Sequence, residues 1–373
     1  MKKFISSIII IISLFSCGVC LAVDFKSETG FNYDWWESNN GDKGSQTYVP
    51  LRFWTDYKDF SFQMLSAFAY SKTEPSGAQD HSLSCVVDTK LNFSYTVLDK
   101  LPFAVLMGLD FNIPTGKTDL KEKKLGVIMD PDLISITHFG EGFNINPTIS
   151  IVKEWETWAA GIGIGYLWRG EYDYSTATKD YDPGDIFSLT GEVVYDFTQN
   201  WSVKLFGEYA YYGTDEVDDH NYYQEGDFLL MGIGLEHYQT DWDVSITLKT
   251  IMRFKSEFQE AGLGLVKEDK KSYGDEWIAD ISCRYHLNKK TTLKSLSQLL
   301  WIEENDYSSS SPLFIGNRKK ISLGVGLVRQ LTEHLTGELN MNGFYMDDER
   351  NWYQDSDRTY KGFSSQLRLT CNF

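Results

Sequence analysis

The chain has 373 residues, a formal net charge of −18, 15% aromatic residues and 8 prolines. An acidic excess of this size argues against nucleic-acid binding, which requires a basic surface. After the N-terminal segment no apolar run is long enough for a transmembrane helix, so the composition leaves a secreted β-protein or a transmembrane β-barrel, whose strands alternate in polarity.

The N-terminal segment has the pattern of a secretory signal. Two lysines precede a run of apolar residues, and the small residues Cys20 and Ala22 follow it. The run is too short to span a bilayer comfortably, and the small residues fit signal-peptidase cleavage. We predict that residues 1–22 are removed and that 23–373 form a single barrel domain. The alternative is a lipoprotein that carries its lipid on Cys17.

Three cysteines remain after the predicted cleavage: Cys85, Cys283 and Cys371. Their odd number and wide spacing argue against a disulfide framework. Each falls on the apolar face of its strand, so we predict small hydrophobic side chains without a redox role.

Segments in which apolar and polar residues alternate recur along the chain. The stretch LSCVVDTKLNFSYTVLD alternates from Leu83 to Val97, WDVSITLKTIMRF from Trp242 to Phe254, and the C-terminal KGFSSQLRLTCNF up to Phe373. These runs exceed the usual globular strand of about five or six residues. They suit tilted membrane-spanning strands of about nine to eleven residues.

Short and long connections also alternate. Short turns fall near Tyr57–Asp59, Leu98–Leu101, Lys153–Glu156, Thr198–Asn200, Gln239–Asp241, Leu287–Lys290 and Thr332–His334. Longer polar stretches cover 38–46, 71–82, 115–141, 171–185, 213–226, 256–274, 304–318 and 347–358. The pattern predicts an all-β fold, a transmembrane antiparallel β-barrel of 16 strands with both termini periplasmic. Fourteen strands is the alternative, since the first strand (24–37) and the thirteenth (292–303) have the weakest patterns.

Aromatic residues bracket the short turns, as Phe197 and Trp201 do for one turn and Tyr238 and Trp242 for the next. Amphipathic rings favour the membrane–water boundary. We therefore predict an aromatic girdle and a location in the outer membrane of a Gram-negative bacterium, with the lipid bilayer and lipopolysaccharide as partners.

The polar faces of the strands would line the lumen of such a barrel. Charges of both signs occur there in near balance, and buried charges need partners or water. Because a bore of this size is too wide for side chains to fill, we predict a hydrated channel wall for small solutes; the alternative is a sealed barrel with internal salt bridges. The predicted pore-lining residues are Asp88, Lys90, Asn92, Asp110, Asn112, Glu192, Lys204, Glu208, Asp243, Lys249, Arg253, Asp280, Arg284, Glu338 and Arg368.

The longest connection, 115–141, carries apolar residues that would be poorly placed in open solvent. Long loops in compact proteins usually serve a function. We predict that this loop folds into the lumen and narrows it. Its candidate constriction residues are Lys117, Asp119, Lys121, Asp130 and Asp132.

Signals of catalysis are scarce. The stretch AGIGIGYLWRG lacks the third glycine of a dinucleotide loop, and the histidines show no metal-ligand spacing. We predict no enzyme, no metal and no cofactor, except that acidic outer loops such as GTDEVDDHNYYQEGD could hold Ca²⁺. A hydrolase assembled from separate strands stays open.

The stretch SCVVDTKLNFSYTVLDKLPFAVLMGLDFNIPTGK resembles a family of outer-membrane barrels linked to a meta-pathway of phenol degradation. Its members pair a D-[TL]-x-L-x-x-x-Y strand with a strand that ends in P-T-G-[DK]; here these motifs run from Asp88 to Tyr95 and from Pro114 to Lys117. The acidic, tryptophan-rich FNYDWWESNNGD departs from the family. The resemblance implies an outer-membrane channel that takes up small compounds, with aromatic ones among the candidates.

The leading prediction is a porin-like channel for passive diffusion of small solutes through a hydrated, mixed-charge lumen. One alternative is a specific channel for small aromatic or hydrophobic compounds. Two others come from different classes: a barrel-embedded hydrolase, and a non-conducting adhesion or anchoring barrel.

The resemblance to such barrels also implies that the terminal aromatic, Phe373, is an assembly signal read by the outer-membrane assembly machinery. Deleting Phe373 should lower the fraction of heat-modifiable, folded protein in the outer membrane several-fold. The matched variant Phe363→Ala, which removes another aromatic of the same strand, should insert normally. Normal insertion of the deletion variant would contradict the assignment.

Overall fold

A computed structural model describes residues 24–98, 101–261, 264–351, 354 and 356–373. The predicted signal segment 1–22 and the Cys17 alternative lie outside these residues. The strands are, in chain order, β1 (Asp24–Ser38), β2 (Lys43–Tyr57), β3 (Phe60–Glu74), β4 (His81–Val86), β5 (Thr89–Val97), β6 (Ala104–Ile113), β7 (Asn144–Glu154), β8 (Trp158–Arg169), β9 (Tyr181–Asp182), β10 (Ile186–Thr198), β11 (Trp201–Tyr212), β12 (Thr214–Val217), β13 (His220–Gln224), β14 (Phe228–Tyr238), β15 (Trp242–Arg253), β16 (Glu257–Glu260), β17 (Gly264–Lys267), β18 (Glu276–Asn288), β19 (Thr291–Ile302), β20 (Arg318–Gln330), β21 (Leu335–Asp348) and β22 (Arg358–Asn372).

The described strands form two antiparallel sheets. The larger sheet has 17 segments and closes on itself, because β1 pairs with both β2 and β22. Since β4 and β5 both pair with β3 and follow each other along it, they are two halves of one wall strand, and the wall of the described barrel has sixteen strands. The predicted sixteen-stranded transmembrane barrel is confirmed, and the weakly patterned first and thirteenth strands are present as β1 and β19.

Closure extends to the last residue of the chain. The ladder between β1 and β22 runs from Lys26 opposite Asn372 to Ser38 opposite Tyr360, and the Phe373 amide donates to the Phe25 carbonyl at 2.9 Å. Both ends of the described chain therefore lie at the end of the barrel that carries the short turns. That this end faces the periplasm stays a prediction.

The outer surface of the barrel is apolar. Large aliphatic side chains at alternate positions are widely exposed, as for Leu205 (56%), Leu323 (59%) and Val325 (67%). A protein surrounded by water would leave a continuous belt of this kind unsatisfied, whereas lipid accepts it. Near the short turns, rings contact one another along the predicted girdle: Trp158 stacks on Tyr195 at 4.3 Å, and Phe197 on Trp201 at 6.1 Å.

A β-bulge between β4 and β5 reverses the predicted alternation. Phe68 pairs with Val86 but Leu65 pairs with Lys90, so two residues of β3 oppose three residues of the neighbouring wall strand. One extra residue turns every preceding side chain to the other face. The prediction that the apolar residues of β4 share one face with those of β5 is therefore wrong. Leu83 is 4% exposed and Cys85 packs beside it on the inner side.

The first long connection was also predicted wrongly. The stretch 38–46 contains only the turn from 39 to 42, because the β1–β2 ladder extends up to Glu37 opposite Lys43. The β1–β2 hairpin therefore continues its backbone pairing beyond the roughly nine to eleven residues that a membrane-spanning strand needs. The remaining longer connections lie at the same end, opposite the short turns.

The smaller sheet lies beyond the barrel at the long-loop end. It has the order β17-β16-β13-β12-β9 and joins three of the longer connections. A single-turn helix, α1 (Glu122–Leu125), belongs to the longest connection. Within the described residues, no helix has the length and apolar character needed to cross a membrane.

The bulge can be tested through Cys85. In a variant that retains Cys85 alone, a water-soluble maleimide should react slowly with the folded barrel, because the residues of the longest connection cover the thiol. Deleting 119–137 should raise the labelling rate by about tenfold or more, since the thiol would then face the aqueous lumen. A Cys85 that faced lipid would stay unreactive in both forms, and Cys371 alone serves as that comparison.

Candidate functional site

The contacts of the longest connection, residues 114–143 and called loop 3 below, identify the inner face of the barrel. The Trp36 indole Nε1 donates to the Met129 sulfur at 3.4 Å, and the Ser135 amide donates to Asp34 Oδ2 at 3.1 Å. Arg318 of β20, three strands along the wall from β1, binds Asp132 of the same loop. Because residues of one strand alternate between two faces, these contacts and the strand register assign every wall residue to the inner or outer face.

All fifteen predicted pore-lining residues lie on the inner face, and the structure brings most of them together as pairs. Their ion pairs are Lys204–Glu192 (3.5 Å), Lys249–Asp280 (3.5 Å), Arg284–Asp243 (3.2 Å), Arg253–Glu225 (2.9 Å) and Arg368–Glu338 (3.9 Å). Asn92 donates to Asp110, and Asn112 donates to Asp88. Lys90 and Glu208 form no ion pair with a described residue. That these side chains line a conducting pore stays a prediction.

Asp88 has a structural role that the sequence pattern did not reveal. Its carboxylate is 8% exposed and accepts from the amides of Gly116 and Glu141, each at 2.7 Å, and from the Asn112 side chain at 2.7 Å. Asp88 thus holds the beginning and the end of loop 3 beside the bulge. Gly116 is required there, because a Cβ atom would lie 1.9 Å from the Phe139 carbonyl oxygen.

Loop 3 turns inward and forms two apolar clusters with the barrel wall. In the first cluster Met129, Leu133 and Ile134 of the loop pack against wall residues. The wall residues of that cluster are Trp36, Met346 and Tyr360. In the second cluster the loop residues Leu120, Val127 and Phe139 pack against Ala69 and Leu83. Val127 is completely buried. The loop therefore lies inside the barrel against the wall formed by β20–β22 and β1–β4.

Polar contacts hold the tip of loop 3 to the wall. The guanidinium of Arg318 binds Asp130 at 2.7 Å, Asp132 at 2.8 Å and the wall residue Asp348 at 3.0 Å. Gln46, fully buried, accepts from the Ile136 amide at 2.7 Å and donates to its carbonyl at 2.8 Å. These contacts make a peptide-like pairing inside the barrel, where unpaired polar groups would be costly.

Of the five constriction candidates, two lie at the docked tip of loop 3 and three lie in its first part, away from the tip. Asp130 and Asp132 lie at the docked tip. Lys117 and Lys121 are exposed to solvent, and Asp119 lies under the next loop, where its amide donates to the Asp173 carbonyl at 2.8 Å. The sequence analysis missed Arg318, because it placed this residue in the polar outer stretch 304–318. Arg318 is an even-numbered residue of β20, as the inward-facing Lys320 and Ser322 are, and extending that alternation by one step would have identified it.

The opposite wall carries an apolar stripe that the sequence analysis also missed. It lies on the inner face of β11, β14, β15, β18 and β19, and consists of Phe206, Phe228, Leu230, Ile251, Ile278 and Leu300. Cations lie beside its rings: Lys204 is 5.3 Å from the Phe206 centroid and Arg253 is 5.7 Å from that of Phe228. The open part of the lumen therefore runs between the docked loop and a wall of apolar side chains and paired charges.

The outer sheet gathers tyrosines and acids. The Tyr181 hydroxyl donates to Asp215 at 2.6 Å, and the Gly184 amide donates to the same carboxylate at 2.8 Å. Burial raises the pKa of Asp182, and the nearby Asp185 and Asp215 raise the pKa of that carboxyl further. Burial raises the pKa of Tyr172 to about 12. In the part of the chain that the structure describes, no group of three or more His, Cys, Asp or Glu is placed to hold a metal ion.

The chain is similar to one protein family in sequence and to several solved β-barrels in structure. Residues 18–266 match the model of a family described as "Putative MetA-pathway of phenol degradation". No curated protein matches the sequence. Among solved structures, the CymD monoaromatic hydrocarbon channel is 11% identical, with 93% of this chain and 88% of that chain covered and a TM-score of 0.43.

Two further structures show a similar level of likeness. The P. putida toluene transporter TodX is 10% identical, with 94% of this chain and 90% of that chain covered and a TM-score of 0.42. A loop-deletion mutant of OmpT, an outer membrane protein of Vibrio cholerae, is 13% identical, with coverages of 93% and 99% and a TM-score of 0.42. At TM-scores below 0.5, these likenesses carry no weight for the function of this chain.

The docking of loop 3 can be tested at Arg318. In Arg318→Gln, Asp130, Asp132 and Asp348 would lose the guanidinium that binds all three, with Lys320 remaining nearby, and breaking a buried pair of this kind costs about 3–5 kcal/mol. The loop tip should leave the wall more often, which should appear as larger current fluctuations in planar bilayers. Arg329→Gln, on the same strand but outside the lumen, is the control. Identical current traces for all three proteins would contradict the docking.

Proposed function

We propose that this chain, which belongs to the family described as a MetA-pathway of phenol degradation, is an outer-membrane channel for small, weakly polar solutes, aromatic compounds among them. The observation that carries the proposal is loop 3, docked inside the barrel by two apolar clusters and by Arg318. The bore of an undivided sixteen-stranded barrel would admit hydrated solutes of many kinds. A loop that occupies half of the inner wall restricts this passage by size.

The chemistry of the remaining wall supports a preference for weakly polar solutes. Most of its charges are paired, as in Lys249–Asp280 at 3.5 Å, so they present little net field to a passing molecule. Between them lie the side chains of the apolar stripe. Apolar contacts of this kind favour an aromatic ring over a sugar, because burial of apolar surface is favourable by about 25 cal/mol per Å². This supports the more specific alternative over general diffusion.

General diffusion remains the competing function, and uptake by cells separates the two. A porin-deficient Gram-negative host that expresses the chain should take up labelled phenol several-fold faster than the empty host, with uptake of a trisaccharide unchanged. Equal acceleration of phenol and of the trisaccharide would favour the general porin. No acceleration of either solute would support the non-conducting anchor.

The position of loop 3 also predicts how the conductance of the channel changes when the loop is removed. Deleting 119–137 removes the apolar and polar contacts of the loop from the lumen, so single-channel conductance in planar bilayers should rise about twofold or more, as expected for a wider bore. Trisaccharide uptake should appear in the same variant. The control is a Gly-Ser replacement of residues 309–312 in the connection between β19 and β20, which changes another long loop without shortening it. Unchanged conductance after deletion of 119–137 would contradict the proposed narrowing.

A further inference from the structure

Two adjoining cavities lie in the lumen beneath the returning part of loop 3. They have volumes of about 400 and 350 Å³ and share Leu65, Lys90, Asn112 and Glu141 in their walls. Residues 135–141 of loop 3 form the roof of one cavity. Together the cavities are large enough for a small organic molecule.

The floor of the two cavities is one rung of the barrel. Arg52 pairs with Leu65, Leu65 with Lys90, and Lys90 with Asn112 across successive strands. Because neighbouring strands lie about 4.8 Å apart, the backbones of Arg52 and Lys90 are about 10 Å apart. Both long side chains start from the same level of the lumen and can therefore reach one ligand.

The two bases of this rung retain hydrogen-bonding capacity: Lys90 has no ion pair with a described residue, and Arg52 has one long ion pair. Lys90 is exposed and forms no ion pair with a described residue. Arg52 lies 3.9 Å from Glu28, at the limit of an ion pair, and its Nε is buried without a hydrogen-bond partner. Asn112 is 7% exposed and donates its side-chain N–H groups to Asp88 and to the Gly142 carbonyl, so it offers no free donor to a ligand.

Of the carboxylates that line the cavities, Asp88 and Asp110 are already hydrogen-bonded. Asp110 accepts from the side chains of Asn92 and Asn146, the second at 3.2 Å. Glu28, which lies outside the cavities and opposite Arg52 on β1, also approaches Arg368 at 3.4 Å. Glu141 lies 3.7 Å from the His138 ring. The donors of the site that lack a hydrogen-bond partner are therefore the cationic groups of Lys90 and Arg52, and cationic donors select for an anion.

Apolar side chains complete the site. Leu65, Tyr48, Val87, Phe139 and Leu167 line the two cavities beside the bases. A ligand that satisfies both parts carries an anionic oxygen group on a small apolar body.

We propose that Arg52 and Lys90 of this rung, roofed by loop 3, form a binding site for small carboxylates with an aromatic or other apolar body. This proposal rests on the proposed channel, since the site lies in the same lumen. Acidic aromatic solutes would bind at this site during their passage through the channel. The carboxylate binds between the ammonium of Lys90 and the guanidinium of Arg52, with the apolar body against Leu65 and Phe139.

Benzoate is the probe, and its block of the ionic current through single channels at pH 7 is the first measurement. Benzoate should block in a concentration-dependent manner, and benzyl alcohol, benzylamine and acetate should block at least about tenfold more weakly, because each lacks the charge of the required sign or the apolar body. Lys90→Gln and Arg52→Gln should each weaken the benzoate block about tenfold, the usual effect of losing one hydrogen bond to a charged group. Equal block by benzyl alcohol would overturn the proposal.

Lys204→Gln removes the same charge from the opposite wall and is the matched control. It should alter the conductance through its effect on the lumen charge but leave the benzoate concentration for half-block unchanged. An equal loss of block in Lys204→Gln and Lys90→Gln would mean that benzoate responds only to the net charge of the lumen, which would refute the site.

Failure of the channel and failure of the site remain distinguishable. If the protein does not conduct, the proposed channel fails, and calorimetric titration of the detergent-solubilised barrel with benzoate still tests the site. Heat of binding that disappears in Lys90→Gln, with the folded electrophoretic form retained, would support the site; absence of benzoate binding to the wild-type barrel would overturn it.

Discussion

The pairing of every backbone polar group in the wall is the constraint on which the rest of the structure depends. In lipid no water satisfies a free strand edge, so the sheet must close, and it does so through the ladder between β1 and β22. Closure forces each strand to present one face to lipid and one to the lumen. The alternating pattern, the ion pairs of the lumen and the inward contacts of loop 3 all follow from that division.

The bulge at Val87 and Asp88 is the local departure that makes the interior specific. It turns Leu83 inward, where this residue packs against loop 3, and it places Asp88 between the two ends of the loop. A strand without the bulge would direct the same apolar residues to lipid and leave Val127 of the loop without its wall. This bulge thus couples the barrel wall to the segment that is proposed to narrow its lumen.

Periodicity was enough to predict the number of strands, the alternation of turn lengths after the first hairpin and the inward face of all fifteen polar candidates, because each of these depends on residues close in sequence. The inward course of loop 3 was predicted from its apolar content alone. The bulge could not be predicted, because one extra residue leaves a window of alternation almost unchanged. Neither could the partners of Arg318, since Asp130 and Asp132 lie far from it in sequence. The apolar stripe was missed because only polar residues of the inner faces were considered.

The account depends on loop 3 lying inside the barrel, and hydrogen–deuterium exchange of residues 127–136 in lipid nanodiscs measures this most directly. The Ser135 amide donates to Asp34 and the Ile136 amide to Gln46, both on the inner wall. The account predicts that these amides exchange at least about a hundredfold more slowly than those of an unstructured peptide, since exchange would require the loop to leave the wall. Exchange as fast as that of an exposed loop would contradict it.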